Sequence, residues 1–204
     1  GKDGTCDENY ELEGDFVQSP KKNYTFENTD WNIEWCYLRH PKLENYELSS
    51  NKAVLHGTDI SLDDTDSPTF IGMRQRDFKF DLSVDLSIDC GEAGVTVYMC
   101  EAEHYEVALR KTDSGFEAVL KLNIGGIKHI QTVVPIASDS AKLRITADNL
   151  FYNFYVGDTH LGCGQTKYLT SEVSGGFTGV VIGLYAVGGN TAEFDNLTID
   201  YLEE

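Results

Sequence analysis

Two arginines lie two residues apart, at Arg74 and Arg76, in the stretch TFIGMRQRDF. Apolar residues flank the pair on both sides, which is typical of a β-strand rather than of a solvated tail. Because side chains two apart on a strand share one face, we expect both guanidinium groups to point the same way, into a polar cleft or to solvent. The structural alternative is that Arg74 meets a carboxylate such as Glu92 or Glu106 in a buried bridge. The pair is therefore a candidate either for binding a polar ligand or for ordering a sheet.

Three glutamates in the stretch EAEHYE form a second group that could do chemistry, at Glu101, Glu103 and Glu106. Their spacing resembles the paired-carboxylate motif of family 16 glucanases, in which two carboxyl groups about 5 to 5.5 Å apart suit a retaining mechanism. However, Glu101 and Glu103 fall between two alternating runs, at the expected tip of a hairpin. Solvated carboxylates at a tip keep ordinary pKa values and supply no acid at neutral pH. A stand-alone jelly-roll glycosidase that uses Glu101 and Glu103 is therefore the alternative hypothesis, not the main one.

The cysteines show no metal or redox pattern. There are five, an odd number, with no CxxC pair and no Cys/His cluster. This argues against a complete disulfide framework and against a zinc site. We interpret most of them as buried thiols in a reducing setting, which favours the cytoplasm without establishing the compartment. A bridge between Cys90 and Cys100 across a hairpin is an open alternative.

The elements that must position these residues are β-strands. Apolar residues recur with a period of two in EAGVTVYMC, HYEVALRK, FKFDLSVDLSI, AKLRITAD, FYNFYVGD, GVVIGLYAV and AEFDNLTIDYL. Each run ends in Gly, Asn, Asp or Ser turn signals, so at least ten short strands predict an all-β, two-sheet antiparallel sandwich or jelly roll. The best candidate for a helix is the short stretch YLTSEV. We expect an irregular acidic linker over residues 1–25 and the sandwich domain over 26–204.

Composition excludes two classes of partner. The chain has 204 residues, and its 16 basic and 34 acidic residues give a net charge of −18. Such a charge repels nucleic acid and anionic lipid, so neither is an expected partner. No apolar run approaches the roughly 20 residues that a membrane span requires. A single domain is the default for an all-β chain of this length.

Four blocks of the sequence together resemble a known family. They are EWCYLRHPKLENYEL, LHGTDISLDDTDSPTFIGMRQRDFKFDLSVDL, EAGVTVY with HYEVAL, and GFTGVVIGLYAVGGNTAEFDNLTIDY. In this order they are similar to the C-terminal domain of glycoside hydrolase family 43 β-xylosidases. The resemblance implies a concanavalin A-like jelly roll that follows a five-bladed β-propeller, and in that family the propeller supplies the catalytic carboxylates. By itself the chain is therefore expected not to be a glycosidase.

The resemblance also implies a role and a partner. The domain would be a non-catalytic module that binds xylan-type chains, or a wall that completes the active-site rim of a propeller catalytic domain. In the family, the loop before the RQ strand lies over the catalytic pocket, often with an aromatic residue at its tip. Here that loop is LDDTDSPT, with Asp64, Asp66 and Pro68 at the tip and no aromatic residue. Stacking of this loop on a xylosyl unit is therefore not expected.

A jelly roll of this kind has a concave face on which sugars bind to aromatic platforms and planar polar groups. If each strand turns its apolar alternates to the core, one group of residues is left to line such a cleft. The predicted carbohydrate-binding group is Arg74, Tyr98, Arg144, Tyr155 and Tyr185.

No cofactor is expected, and only one residue suggests a metal. Asp195, in the stretch EFDN near the last strand, is a weak candidate for a structural calcium ligand, because acids at this position bind calcium in related sandwiches. Calcium requires six or more oxygen ligands, so a turn-capping role for Asp195 is the favoured alternative.

Overall fold

The structure, a computed structural model, describes residues 22–23, 26, 34–49 and 52–202. Its secondary structure is almost entirely β. The strands are β1 (Lys22–Asn23), β2 (Trp35–Cys36), β3 (Tyr46–Ser49), β4 (Lys52–His56), β5 (Thr69–Arg74), β6 (Phe80–Ile88), β7 (Glu92–Cys100), β8 (Glu103–Thr112), β9 (Gly115–Ile124), β10 (Ile127–Ile136), β11 (Ser140–Ala147), β12 (Phe151–Val156), β13 (Thr159–Gln165), β14 (Val181–Val187) and β15 (Thr191–Tyr201).

The strands form two antiparallel sheets that pack face to face. The first sheet has the order β13-β12-β11-β6-β15-β4-β3, with β1 also paired to β15. The second sheet has the order β10-β9-β8-β7-β14-β5-β2. This arrangement confirms the predicted antiparallel β-sandwich.

The first sheet follows the period of two that the sequence shows. In β6 the side chains of Phe80, Leu82 and Val84 are buried between the sheets, while Asp81 and Ser83 face outward and are partly exposed. Alternate burial is expected for a strand with one face on the core and one on solvent. The outer face of the first sheet is therefore open.

The second sheet departs from that pattern because both of its faces are covered. All seven residues from Ala93 to Met99 in β7 are buried. Its outer face carries a second apolar cluster, separate from the main core: Leu62, Phe70, Tyr98, Ala108, Val119, Val181 and Tyr185. Leu62 belongs to the loop between β4 and β5, and Cys36 and Leu38 pack against the same cluster. Two irregular segments therefore close this face.

The two ends of the sandwich differ. At one end, which we call the groove end, β5 stops at Arg74 and β6 starts at Phe80, and Tyr98 and Tyr201 lie in the same cross-strand rows. A 3₁₀-helix (Thr166–Leu169) and a short helix, α1 (Ser171–Ser174), follow β13 there. They confirm the helical stretch that the sequence predicted. A further 3₁₀-helix spans Leu43–Asn45.

One expectation about the chain's covalent organisation changes. Cys90 precedes β7 and Cys100 ends it, so they lie at opposite ends of one strand. Both are free, as are Cys36 and Cys163, so the predicted alternative of a Cys90–Cys100 bridge is wrong. Strand β1 lies within residues 1–25, which were expected to form a linker, and residues 1–21, 24 and 25 fall outside the described part of the chain, so the linker stays a prediction. No helix among the described residues is long and apolar enough to cross a membrane.

Candidate functional site: a loop anchored over a buried charge network

The loop between β4 and β5, residues 57–68, crosses the outer face of the second sheet. We call it the cover loop. Near its start, Thr58 bridges to Val187 at the end of the sandwich opposite the groove end. Leu62 is then buried against the sheet, and Asp63 reaches the strand rows at the groove end. The loop therefore spans the whole length of this face.

Asp63 anchors the cover loop through three neighbours. The Asn123 amide donates a hydrogen bond to Oδ1 of Asp63 at 2.7 Å, and Lys128 Nζ lies 2.8 Å from Oδ2. Nε2 of His104 lies 3.4 Å from Oδ1. Partial burial would raise the pKa of the Asp63 carboxyl, but its hydrogen bonds with His104 and Lys128 lower it well below the usual range. The anchor therefore stays ionised wherever the protein is folded near neutral pH.

Beneath the loop, charged side chains continue the contact across the sheet. Nε2 of His104 lies 3.0 Å from Glu106, and Glu106 lies 2.7 Å from Lys121 Nζ. Lys121 also lies 2.5 Å from Glu92, and the Tyr185 hydroxyl donates a hydrogen bond to Glu92 at 2.9 Å. We call Asp63, Glu92, His104, Glu106 and Lys121 the buried charge network. Charges taken out of water are tolerated only when they are paired in this way.

The network is built to hold charge, not to exchange protons at neutral pH. Burial alone would lower the pKa of His104, but Asp63 and Glu106 raise it to about 9. Burial alone would raise the pKa of Glu106, but Lys121 and His104 lower it to about 2. Since a general acid or base works best with a pKa near the operating pH, these groups are unsuited to that role. Their arrangement is structural.

The tip of the cover loop is exposed but fixed. Asp64 and Asp66 face solvent, and Oδ2 of Asp64 accepts hydrogen bonds from both the backbone and the hydroxyl of Ser61, each at 2.7 Å. The Arg39 guanidinium donates to the Asp66 carbonyl at 2.8 Å and to Glu101 at 2.9 Å. Pro68, predicted at the tip, is buried instead. Two carboxylates are therefore presented outward on a pre-organised backbone.

Three of the predicted cleft residues share the outer face of the second sheet but do not form an open cleft. Arg74 lies opposite Val181, which lies opposite Tyr98 on the other side. Tyr98 and Tyr185 are only 4% and 2% exposed, because the cover loop and the segment around Leu38 pack over this face. The expectation of an exposed aromatic platform is therefore wrong for both tyrosines.

Neither interpretation of the two arginines holds in full. Arg74 is exposed and forms no ion pair with a carboxylate among the described residues, while Glu92 and Glu106 are paired with Lys121. β5 ends at Arg74, so Arg76 does not share its strand face. Instead the guanidinium of Arg76 lies 5.8 Å from the ring centroid of Tyr201. The expectation that both arginines share a strand face required β5 to continue through Arg76, but β5 ends at Arg74.

The other two predicted residues lie on the first sheet, on the opposite side of the sandwich. Arg144 and Tyr155 are cross-strand partners, with the guanidinium 5.3 Å from the ring centroid. Asp81 accepts two hydrogen bonds from Arg144, at 2.8 and 2.5 Å, and the His160 ring lies 4.9 Å from that of Tyr155. The single cleft of five residues is therefore wrong. Strand parity indicates which residues face outward but not which sheet they belong to.

The glutamates of the enzymatic alternative are separated by their contacts. Glu101 lies in the β7–β8 turn, as predicted, and is bound to Arg39. Glu103 is not solvated: it is 6% exposed and accepts a hydrogen bond from the Cys100 thiol at 2.6 Å. Two carboxylates held by different partners on different sides of a turn do not form a catalytic pair.

Asp195 is placed in β15 beside a bulge, opposite Asp85 of β6. Asp85 is already bound by the Asn196 amide at 3.0 Å. Among the described residues there is no group of three or more His, Cys, Asp or Glu side chains that could hold a metal ion. Nothing around Asp195 therefore adds to the calcium hypothesis.

A groove of about 650 Å³ opens at the groove end and is lined by residues from both sheets. We call it the end groove. Its floor includes Met99 and Tyr152, and the Tyr152 hydroxyl donates a hydrogen bond to Gln75 at 2.7 Å. Its sides come from Arg76–Phe78, the segment 166–172 and Gly179–Val180.

Sequence reasoning missed the buried charge network, although a signal for it exists. In β8, His104 and Glu106 alternate with Tyr105 and Val107, and Lys121 sits at a matching position in β9. Such alternation is the usual sign of a solvated outer face. The cover loop and the segment around Leu38, both distant in sequence, turn this polar face into a buried one.

Comparisons with known proteins agree with the fold and its sequence blocks. The family model described as "beta xylosidase C-terminal concanavalin A-like domain" matches residues 23–201. A non-reducing end α-L-arabinofuranosidase of Bacteroides ovatus is 28% identical across the whole of this chain, which spans 41% of that protein. A xylosidase/arabinosidase of Butyrivibrio fibrisolvens is 25% identical over 81% of the chain and 34% of its own length.

Among solved structures, one described as "Bacteroides ovatus xyloglucan PUL GH43B" superposes with a TM-score of 0.79 at 26% identity. The match covers 96% of this chain and 41% of that one. The chain thus spans about two fifths of the length of the first relatives that it matches.

Proposed function

The chain belongs to the family of β-xylosidase C-terminal concanavalin A-like domains, and we propose that it is a non-catalytic accessory domain whose cover loop completes the active-site rim of a glycoside hydrolase. The catalytic partner would be the β-propeller domain that the family resemblance implies. The substrate class is a xylan-type chain that bears xylose or arabinose, in keeping with the names of its relatives.

The observation that carries this proposal is the anchored tip of the cover loop. A rim must hold its polar groups in one place before substrate arrives, because ordering a loop on binding costs free energy. Here Asp63 ties the loop to the sheet, and Arg39 ties its backbone to Glu101. The exposed carboxylates of Asp64 and Asp66 can accept hydrogen bonds from sugar hydroxyl groups. No aromatic side chain at the tip competes for that role.

The state of the charged groups supports a non-catalytic role for this domain. The glutamates of the alternative hypothesis are engaged by Arg39 and Cys100. In the network, His104 with a pKa raised to about 9 and Glu106 with a pKa lowered to about 2 are fixed in their charged forms. The described part of the chain therefore offers a scaffold and a surface, and the reaction is assigned to the partner domain.

Kinetics of the complete natural polypeptide test the proposal. Asp64→Ala combined with Asp66→Ala should raise KM for xylo-oligosaccharides about 3- to 30-fold, the loss expected for one or two hydrogen bonds. Asp113→Ala is the matched control, since Asp113 is an exposed acid in the β8–β9 turn at the other end of the sandwich. Unchanged KM and kcat in the double variant would refute the rim assignment.

A second role, recognition of the polysaccharide itself, is favoured by the open face of the first sheet. There the Tyr155 ring is flanked by the Arg144 guanidinium and the His160 imidazole, and Asp81 holds Arg144 in place. An aromatic ring beside fixed planar polar groups is suited to stacking and hydrogen bonding with one sugar unit. Titration calorimetry with xylohexaose on the wild type and on Tyr155→Ala tests this surface.

A further inference from the structure

A row of polar side chains crosses the open outer face of the first sheet. Cross-strand pairing over four neighbouring strands aligns Tyr155 of β12, Arg144 of β11, Ser83 of β6 and Thr198 of β15. We call these four residues the polar row. A hydrogen bond joins the hydroxyl groups of Ser83 and Thr198 at 3.0 Å. Because neighbouring strands lie about 4.8 Å apart, the row is about 14 Å long.

Aspartates border the polar row on both sides. On one side, Asp81 of β6 lies directly opposite Asp200 of β15. On the other side, Asp85 of β6 lies opposite Asp195 of β15, beside the bulge in that strand. Side chains two apart on a strand share one face at a spacing of roughly 7 Å, so these carboxylates project beside the row. Like charges directly opposite each other destabilise a sheet, and a local cost of this kind is typical of a functional surface.

The bases on this face do not compensate all of its acids. Three ion pairs form there, Lys142–Asp85, Arg144–Asp81 and Lys52–Glu193. Asp195 and Asp200 form no ion pair with any base in the part of the chain that the structure describes. The open face therefore keeps negative charge on both sides of the polar row.

A recess of about 490 Å³ opens beside the Asp85–Asp195 pair. Asp85, Asp195 and Lys142 are among the residues that line it. A side branch that leaves a polysaccharide chain on this side of the polar row would enter the recess. Lys142 already lies 3.6 Å from Asp85, so two carboxylates and one shared ammonium group face the branch. The recess therefore carries a net negative charge.

We propose that the open face selects neutral polysaccharide chains and rejects chains that carry uronate branches. This rests on the proposed function, namely the recognition of polysaccharide by Tyr155 and its neighbours. Carboxylates accept strong hydrogen bonds from hydroxyl groups, so a neutral chain on the polar row gains from the bordering aspartates. A uronate branch brings its own carboxylate, which Asp195 and Asp200 repel. The same aspartates thus favour one class of chain and disfavour the other.

The size of the discrimination follows from the geometry of the rows. Two unit charges about 7 Å apart in water repel each other enough to weaken binding about threefold. Asp195 and Asp200 together should therefore weaken the binding of a uronate-bearing chain about tenfold. Salt screens this repulsion, because the Debye length falls from about 30 Å at 0.01 M to about 3 Å at 1 M.

Titration calorimetry with two matched ligands tests the proposal. One is xylohexaose with a single glucuronosyl branch, and the other is the same molecule with that branch reduced to glucosyl, which removes the charge and keeps the shape. At a salt concentration of about 0.01 M the wild type should bind the uronate ligand about tenfold more weakly than the neutral one. At about 1 M the two affinities should be nearly equal.

A charge variant assigns the effect to the open face. Asp195→Asn combined with Asp200→Asn should bring the two affinities at low salt to within about twofold, because asparagine keeps an acceptor but carries no charge. Asp113→Asn combined with Glu172→Gln is the matched control. These two exposed acids lie in the β8–β9 turn and in α1, away from the open face, so the control should keep the tenfold preference.

Several outcomes would overturn the inference. Equal affinities of the wild type for both ligands at low salt would do so, and tighter binding of the uronate ligand would instead assign Arg144 and Lys142 to anion recognition. Loss of the preference in the control variant would attribute it to the net charge of the chain rather than to this face. If neither ligand binds, polysaccharide recognition by the open face is itself refuted, whereas the rim assignment is tested separately by kinetics.

Discussion

Replacement of His104 by glutamine should remove a specific, pH-dependent part of the stability. His104 is 1% exposed and lies between Asp63 and Glu106. These carboxylates raise its pKa from 6.5 to about 9 in spite of burial. Because the folded state holds the proton more tightly than the unfolded state, the contribution is complete below pH 6.5. It is lost as the pH rises through about 9.

The size of the effect follows from the two pKa values. A difference of about 2.5 between folded and unfolded states, at about 1.4 kcal/mol for each pH unit, gives about 3 kcal/mol. Wild-type stability should therefore fall by about this amount between pH 6.5 and 9. His104→Gln should be about 3 kcal/mol less stable than wild type at pH 6, and this deficit should nearly vanish at pH 9.5. Glutamine keeps a donor near the carboxylates but no titrating charge.

Urea denaturation across pH 5.5 to 9.5 provides the assay, because the midpoint and slope yield the free energy of unfolding at each pH. Subtraction of the variant curve from the wild-type curve removes other contributions, such as Cys36 and Cys100, whose thiol pKa values burial also raises. His129→Gln, at an exposed position on β10, is the control and should keep the wild-type curve. A constant difference between wild type and His104→Gln across this range would refute the charged-histidine account.

Three further predictions concern the network, the surface and the reaction. Glu106→Gln should cost about 3–5 kcal/mol of stability, because Lys121 and His104 lose a buried counter-charge. In the same urea assay, Arg74→Ala should change stability by less than about 0.5 kcal/mol, because Arg74 is exposed. Tyr155→Ala should weaken xylohexaose binding without altering thermal stability. The wild-type dissociation constant should lie between micromolar and millimolar, which is a binding free energy of about 4–8 kcal/mol. Equal titrations of both proteins would count against the open face as a sugar site. The isolated chain should show no turnover of aryl xylosides or arabinosides, and activity that disappears in Glu101→Gln or Glu103→Gln would restore the enzymatic alternative.

The fold could be predicted because its information is local. The period of two in β6, β7 and β14 marks strands, and the glycines and acids between the runs mark turns. The short helix at Ser171–Ser174 overlaps the stretch YLTSEV, the best helical candidate in the sequence. The pairing of these strands into two particular sheets is not local, so Arg144 and Tyr155 were grouped with residues that lie on the other sheet.

The functional site could not be predicted because its defining contact joins distant residues. Outward-facing His104, Glu106 and Lys121 look like solvated positions in the sequence, and only Asp63, 41 positions before His104, reveals that they are covered. The cover loop places the Asp63 carboxylate beside the His104 imidazolium, which also contacts Glu106, so each charge of the buried charge network has an opposite charge within contact distance. An exposed loop of acids in a chain of net charge −18 would otherwise be repelled from an acidic sheet. The same pairing that makes burial tolerable thus holds the loop in place, which is why a change in the charge of the network should affect both stability and the position of the cover loop.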